Sequence, residues 1–331
     1  MDARLAKQRA IKKSPGLRQG LQPRPVRAGI SRFAELGFRF GSVVRDHKNR
    51  MLHALSTHLF VGHRLTTVWL DRIWDAGIPL VEIFCAKQHL DYHDHAQIRE
   101  LGHWFRDSPL KLHSLHSPMY NDDVWGRSGP HSVLSITEPV KSKRLAVVDE
   151  IKRALDIAEI VPYRYLIQHV GVSGEEYEDR KVDAAFSALE EISVFARQRG
   201  VEVLLENTPN GLSSAERLLM FFEQTHLNLN VCLDTGHANM REGVETAYRL
   251  LKGRIRSTHV HDNNGKDDSH LFPLLDGAGT INWTRTMETL RSNVEQYPLL
   301  LELKEVPDME HPFDAVKQVF ERLENLKSNE S

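Results

Sequence analysis

The residues of this chain that can bind a metal or move a proton fall at the ends of short apolar runs. Glu82 lies toward the end of PLVEIF, His116 closes KLHSLH, His169 stands one residue from the end of YLIQHV and Glu206 closes VEVLLE. Asp234 closes LNVCLD, His261 closes IRSTHVH and Glu302 lies in LLLELK, while His237, Asp268 and His270 follow in CLDTGHANM and DDSHL. Carboxylates mixed with imidazoles, with no thiolate beside them, suit Mn²⁺, Zn²⁺, Co²⁺ or Mg²⁺, because borderline and hard cations take nitrogen and oxygen ligands. One carboxylate on a strand is weak evidence, since it can simply pair with a neighbouring Arg or Lys. His169, Glu206, Asp234, His261 and Glu302 close five successive runs, and that recurrence favours a metal centre over a buried ionic network.

Residues scattered over more than two hundred positions meet only if the fold brings the ends of their strands together. Eight runs read as strands, at 52–58, 79–84, 111–116, 165–170, 201–206, 229–234, 255–261 and 299–304. Between them lie stretches with apolar residues at helical spacing, such as TTVWLDRIWDAG, VVDEIKRALDIAEI and VDAAFSALEEISVFARQRG. Strands alternating with helices imply parallel pairing through right-handed crossovers. Eight such units in one chain, with no glycine-rich turn after the first strand, predict a single (β/α)8 TIM barrel, whose site lies at the C-terminal ends of its strands.

The segments ENTPN, LDTGH, HVHDNNGKDDSH and GAGTINW resemble the sugar phosphate isomerase/epimerase superfamily, with its xylose isomerase-like TIM barrel, over about residues 51–325. The resemblance implies one divalent metal held by Glu206, Asp234, His261 and Glu302. His237 would contact substrate, and the two glutamates would exchange a proton with carbon. The expected activity is isomerisation or epimerisation of a sugar or related hydroxy-ketone through an enediolate, with the neighbouring lyase and dehydratase chemistry of such barrels as an alternative. The superfamily also contains endonuclease IV, an apurinic endonuclease with three zinc ions. Its further ligands match His116, His169, His237, Asp268 and His270, so up to three zinc ions are implied on that alternative. Ketohexose epimerases of the group carry an Arg six residues beyond the histidine ligand, where this chain has Asp267, so a free ketohexose held by such an arginine is not expected.

Charge separates these readings. Residues 1–50 carry 13 Lys and Arg against 3 Asp and Glu, leaving 30 against 42 in residues 51–331, a net of −12. A duplex-binding surface needs clustered Lys and Arg to displace counterions, so the partner expected is a small sugar-like molecule and not nucleic acid. The basic stretch 1–50, with no sustained apolar period, reads as a largely disordered extension, and 51–331 as the barrel. No apolar run approaches the roughly 20 residues of a membrane span. Cys85 and Cys232, in separate strands without CxxC spacing, read as buried free thiols of a reducing, cytoplasmic protein. Homo-oligomerisation is compatible with all of this.

Other polar residues receive plainer assignments. Glu82 and His58 are expected to support the site from behind its ligands, with Glu82 orienting one of them. His113, three residues before His116, and His259, two residues before His261, read as core histidines one layer deeper. His89, His93 and His95 fall in a solvated loop that caps a helix. Lys266 and Arg127 are candidate anchors for an anionic substrate, and Trp125 for the pocket wall.

Overall fold

The computed structural model describes residues 50–275, 277–307 and 309–326. The basic extension assigned to residues 1–50 lies outside them except for Arg50.

All eight expected strands form. They are β1 His53–Ser56, β2 Leu80–Phe84, β3 Lys111–His116, β4 Tyr165–His169, β5 Glu202–Glu206, β6 Asn230–Asp234, β7 Ile255–His259 and β8 Leu299–Leu301. Every ladder is parallel, and the order β7-β6-β5-β4-β3-β2-β1-β8 places neighbours in sequence side by side. The remaining seam is narrowed by a parallel bridge between Val260 and Leu301, with Val260 N–H donating to the Leu300 carbonyl at 2.8 Å. The result is a nearly closed (β/α)8 barrel.

Three strands end two or three residues before their sequence patterns do. β1 stops at Ser56, whose hydroxyl accepts from the His58 amide and opens a 3-10 turn over Thr57–Phe60. His58 therefore stands in that turn and not at a strand end. β7 stops at His259 and β8 at Leu301, with the isolated Val260–Leu301 bridge continuing their pairing by one step; Asp262 and Leu271 then exchange both hydrogen bonds across the following loop.

Side chains alternate about the strands, so each has an inner and an outer set. Tyr165, Ile167, Leu204 and Cys232 pack inside the barrel, as do Ala54, Leu80 and Leu300, and together they plug it below the mouth. The outer faces join a much larger core with the surrounding helices. Those helices include α1 Thr67–Asp75, α2 His95–Asp107, α3 Lys141–Asp156, α4 Asp179–Gln198, α5 Ala215–Gln224, α6 Thr235–Asn239, α7 Val244–Leu251, α8 Trp283–Arg291 and α9 Pro312–Asn325. The Asp94 carboxylate caps α2 by accepting from the amides of Ala96 and Gln97, as expected for that loop. His93 and His95 are exposed, but His89 is buried, tied to the His63 carbonyl and the Thr57 hydroxyl. The loop is thus solvated only on its outer side.

The loop after β7 is organised by Asp262, which is 3% exposed. Its carboxylate accepts from the amides of Asn263, Thr280 and Ile281 and from the Trp283 indole, which starts α8. A Cβ on Gly279 would lie 2.2 Å from an Asp262 oxygen, so glycine is required for that approach.

Candidate metal centre

The inner ends of β5 to β8 bring four side chains together. Glu206, Asp234, His259 and Glu302 each offer a ligand atom within 4.8 Å of the others, and all four are buried. His259 Nδ1 lies 3.3 Å from Glu206 Oε1 and 3.1 Å from Glu302 Oε2. The angles form no hydrogen bond, however, so His259 Nδ1 and Glu206 Oε1 are enclosed polar atoms without such a partner among the described residues. Leaving buried groups unsatisfied costs about 1–3 kcal/mol each, more for charged ones, and a divalent cation removes that cost for a three-carboxylate, one-imidazole set. The residues fit the ion that the sequence implies.

One member of this group differs from the sequence reading. The resemblance places His261 with the glutamates and His259 reads as a core histidine, whereas the structure brings His259 among the carboxylates. The β6–β7 register explains the exchange, because Asp234 pairs with His259, the last residue of the strand, and His261 stands one step nearer the mouth. Both histidines occupy the same strand face, so the two-residue period alone does not distinguish them. Glu82 also moves: it lies in the middle of β2, not at its end. Its carboxylate accepts from the Ser114 hydroxyl at 2.7 Å and meets His259 Nε2 at 3.1 Å.

Two more donor groups flank the four. His116, His169 and Glu206 form one, with the two imidazole Nε2 atoms 3.3 Å apart and His169 Nε2 3.1 Å from Glu206 Oε2. On the other side Asp268 gathers imidazoles, with His237 Nε2 at 3.1 Å, His270 Nε2 at 3.3 Å and His261 Nε2 at 3.8 Å. His261 also lies 3.1 Å from Asp234 Oδ2 and stacks on His270 with centroids 4.0 Å apart. His270 adopts φ 47°, a sparsely populated conformation for a residue with a Cβ, which is held here by Asp268 and by the Glu302 carbonyl. His237 belongs to α6, whose first turn is capped by Asp234 itself.

Electrostatics follow from this packing. Burial alone would push the glutamates up, but His259 and the other imidazoles hold Glu206 and Glu302 well below the usual carboxylate range. Burial would lower His237 and His270, yet Asp234 and Asp268 raise the first and Asp268 raises the second to about 9. Against the same effect of burial, His259 is raised by Cys232 and the surrounding carboxylates, and His116 by carboxylates led by Glu206. His113 behaves as the core histidine expected, lowered to about 4 by burial, with Nε2 3.3 Å from the Ser257 hydroxyl.

A cavity of about 270 Å³ opens beside these groups, lined by His58, Tyr120, Trp125, His169, Asp268, His270 and Lys304 among others. Trp125 thus forms part of its wall. Neither Lys266 nor Arg127 reaches that wall, whereas Lys304, two residues beyond Glu302, does. Sequence reasoning passed over Lys304 because nothing in its local pattern marks it; only the turn of chain after β8 brings it there.

The profile of the xylose isomerase-like TIM barrel family matches residues 70–326, most of the chain. The chain belongs to that family. Among solved structures, a D-tagatose 3-epimerase-like protein superposes with a TM-score of 0.65 at 24% identity, covering 83% of this chain and 98% of its own. A D-allulose 3-epimerase from Methylomonas sp. in complex with D-allulose gives 0.64 at 15% identity, covering 84% and 98%. An IOLI protein with a bound zinc atom gives 0.61 at 15% identity, covering 83% and 96%. At these identities the likeness is one of fold. The structures alike in fold include sugar epimerases.

Proposed function

We propose that this protein is a divalent-metal-dependent isomerase or epimerase of a sugar or related hydroxy-ketone. The observation that carries the reading is the buried group of Glu206, Asp234, His259 and Glu302, with two enclosed polar atoms that lack hydrogen-bond partners among the described residues, close to a cavity whose wall includes His169, Asp268 and His270. The zinc atom and D-allulose found in proteins of the same fold support the metal and the substrate class.

A divalent ion bound there supplies Lewis-acid polarisation of a carbonyl and stabilises the charge that develops when the adjacent carbon loses a proton. The chain supplies the rest. Glu206 and Glu302 are held ionised, so either can accept a proton from carbon and return it to the neighbouring carbon or to the opposite face. His237 is fixed by Nδ1 donating to the Asn207 carbonyl, so Nε2 is the atom that holds a substrate oxygen, in exchange for its present partner Asp268. Glu82 fixes the orientation of His259 by accepting at Nε2, which leaves Nδ1 facing the carboxylates.

The test is solvent deuterium incorporation into a panel of ketoses, aldoses and inositol-like ketones by metal-loaded protein. Exchange of one C–H, lost in Glu206→Gln and Glu302→Gln variants that remain folded, is the expected result. Turnover with no C–H exchange would overturn the mechanism.

A second reading has its own observation: the donor groups around His116/His169 and around Asp268 provide for two more ions. Three adjacent ions would suit hydrolysis of a phosphoester, in which metals stabilise both attacking and leaving oxygens. Metal content separates the two. Under the isomerase reading the protein holds one ion tightly and Asp268→Asn keeps substantial activity; under the hydrolase reading it holds three and Asp268→Asn loses one together with most activity.

A further inference from the structure

We infer that His58 is a specificity-determining residue that accepts a hydrogen bond from a substrate hydroxyl, so that the cavity selects a neutral polyhydroxylated end to its substrate. The inference rests on the isomerase or epimerase reading and deepens it to the substrate's recognition.

His58 Nδ1 lies 2.9 Å from the Leu303 carbonyl, and a carbonyl oxygen can only accept, so Nδ1 carries the hydrogen. The ring is 6% exposed and enclosed by Phe84, Trp125 and His270, with centroids 5.1, 5.5 and 4.6 Å away. Burial among aromatic rings beside another imidazole favours the neutral form. A neutral ring with its hydrogen on Nδ1 presents a lone pair at Nε2, which makes no hydrogen bond among the described residues. His58 also lines the cavity beside the donor groups.

An acceptor in a cavity wall discriminates by sign. A hydroxyl can donate to it. A phosphate or carboxylate oxygen would bring two acceptors together, and a methyl group would leave the nitrogen unsatisfied. Rejection of the wrong partner is therefore part of what the residue does. Lys304, the cation in the same wall, is exposed, whereas His58 is buried.

The experiment uses the full metal-loaded chain with ¹⁵N-labelled histidine, and D-allulose, D-fructose and xylitol as probes. The expected spectrum shows Nδ1 of His58 protonated and Nε2 bare, with the Nε2 signal shifting as at least one probe is added. His58→Asn, which keeps a donor for Leu303 but loses the acceptor, should weaken that probe's binding about three- to tenfold, the range of one neutral hydrogen bond. His58→Gln, which can place an oxygen near the Nε2 position, should recover part of the loss. The 6-deoxy analogue of a bound ketose should lose affinity for wild type but not for His58→Asn. A hydrogen on Nε2, or no response of Nε2 to any probe, would overturn the inference. These signals are read without turnover, so an inactive but responsive protein would refute the isomerase reading and leave His58 as a hydroxyl acceptor.

Discussion

His259 and His261 differ by two positions and by one step of depth, and the account assigns them different work. His259→Ala should remove the deep ion, because it deletes the one imidazole that meets Glu206 and Glu302. His261→Ala should leave that ion in place and disturb the group around Asp268. Metal content of the two variants checks the assignment. Glu82→Gln keeps the shape but weakens the support of His259 Nε2, and metal affinity should fall roughly 10- to 100-fold, as is usual for a group that orients a ligand. A competitive chelator titration measures this. The sequence exposed the carboxylates, since Glu206, Asp234 and Glu302 close apolar runs, but it could not choose between two histidines on one strand face. The choice depends on where β7 ends and how it registers against β6.

At the scale of the elements, alternation of strands and amphipathic helices made the barrel legible because each β/α unit repeats the same burial problem. The strand ends were less so. β1 stops where the Ser56 hydroxyl opens a local turn, and β7 and β8 where loop hydrogen bonds replace the ladder, some from distant segments, as when the Lys304 amide donates to the His270 carbonyl. The loop after β7 shows how such a segment is held. Asp262→Ala would strand three amides and an indole N–H in a buried setting, and should destabilise the protein by roughly 3 kcal/mol or more. Gly279→Ala meets the same carboxylate sterically and should cost about 1–3 kcal/mol. Denaturant melts of the two variants give both values, and Asp262→Ala should be the larger.

For the whole molecule, the charge network makes stability depend on pH when metal is absent. His270 titrates at about 9 instead of 6.5, so its contribution is fully present below 6.5 and is lost as pH rises through 9. Glu206 and Glu302, held well below 4.5, contribute above that value and lose their contribution as pH falls through their lowered range. Metal-free protein should therefore melt at progressively lower temperature from pH 6.5 to 9. Bound metal replaces protons on the imidazoles, so the loaded protein should gain metal affinity with pH and flatten that decline. Scanning calorimetry of both forms across this window tests the sign. No helix among the described residues is long and apolar enough to cross a membrane.

The central claim is the place of the ion, and anomalous diffraction at a metal absorption edge locates it directly. The account predicts a peak bonded by Glu206, Asp234, His259 and Glu302, at about 2.0–2.2 Å from their donor atoms if the ion is zinc. A deep site left empty in metal-loaded crystals, or an ion bound by His261 without His259, would contradict it.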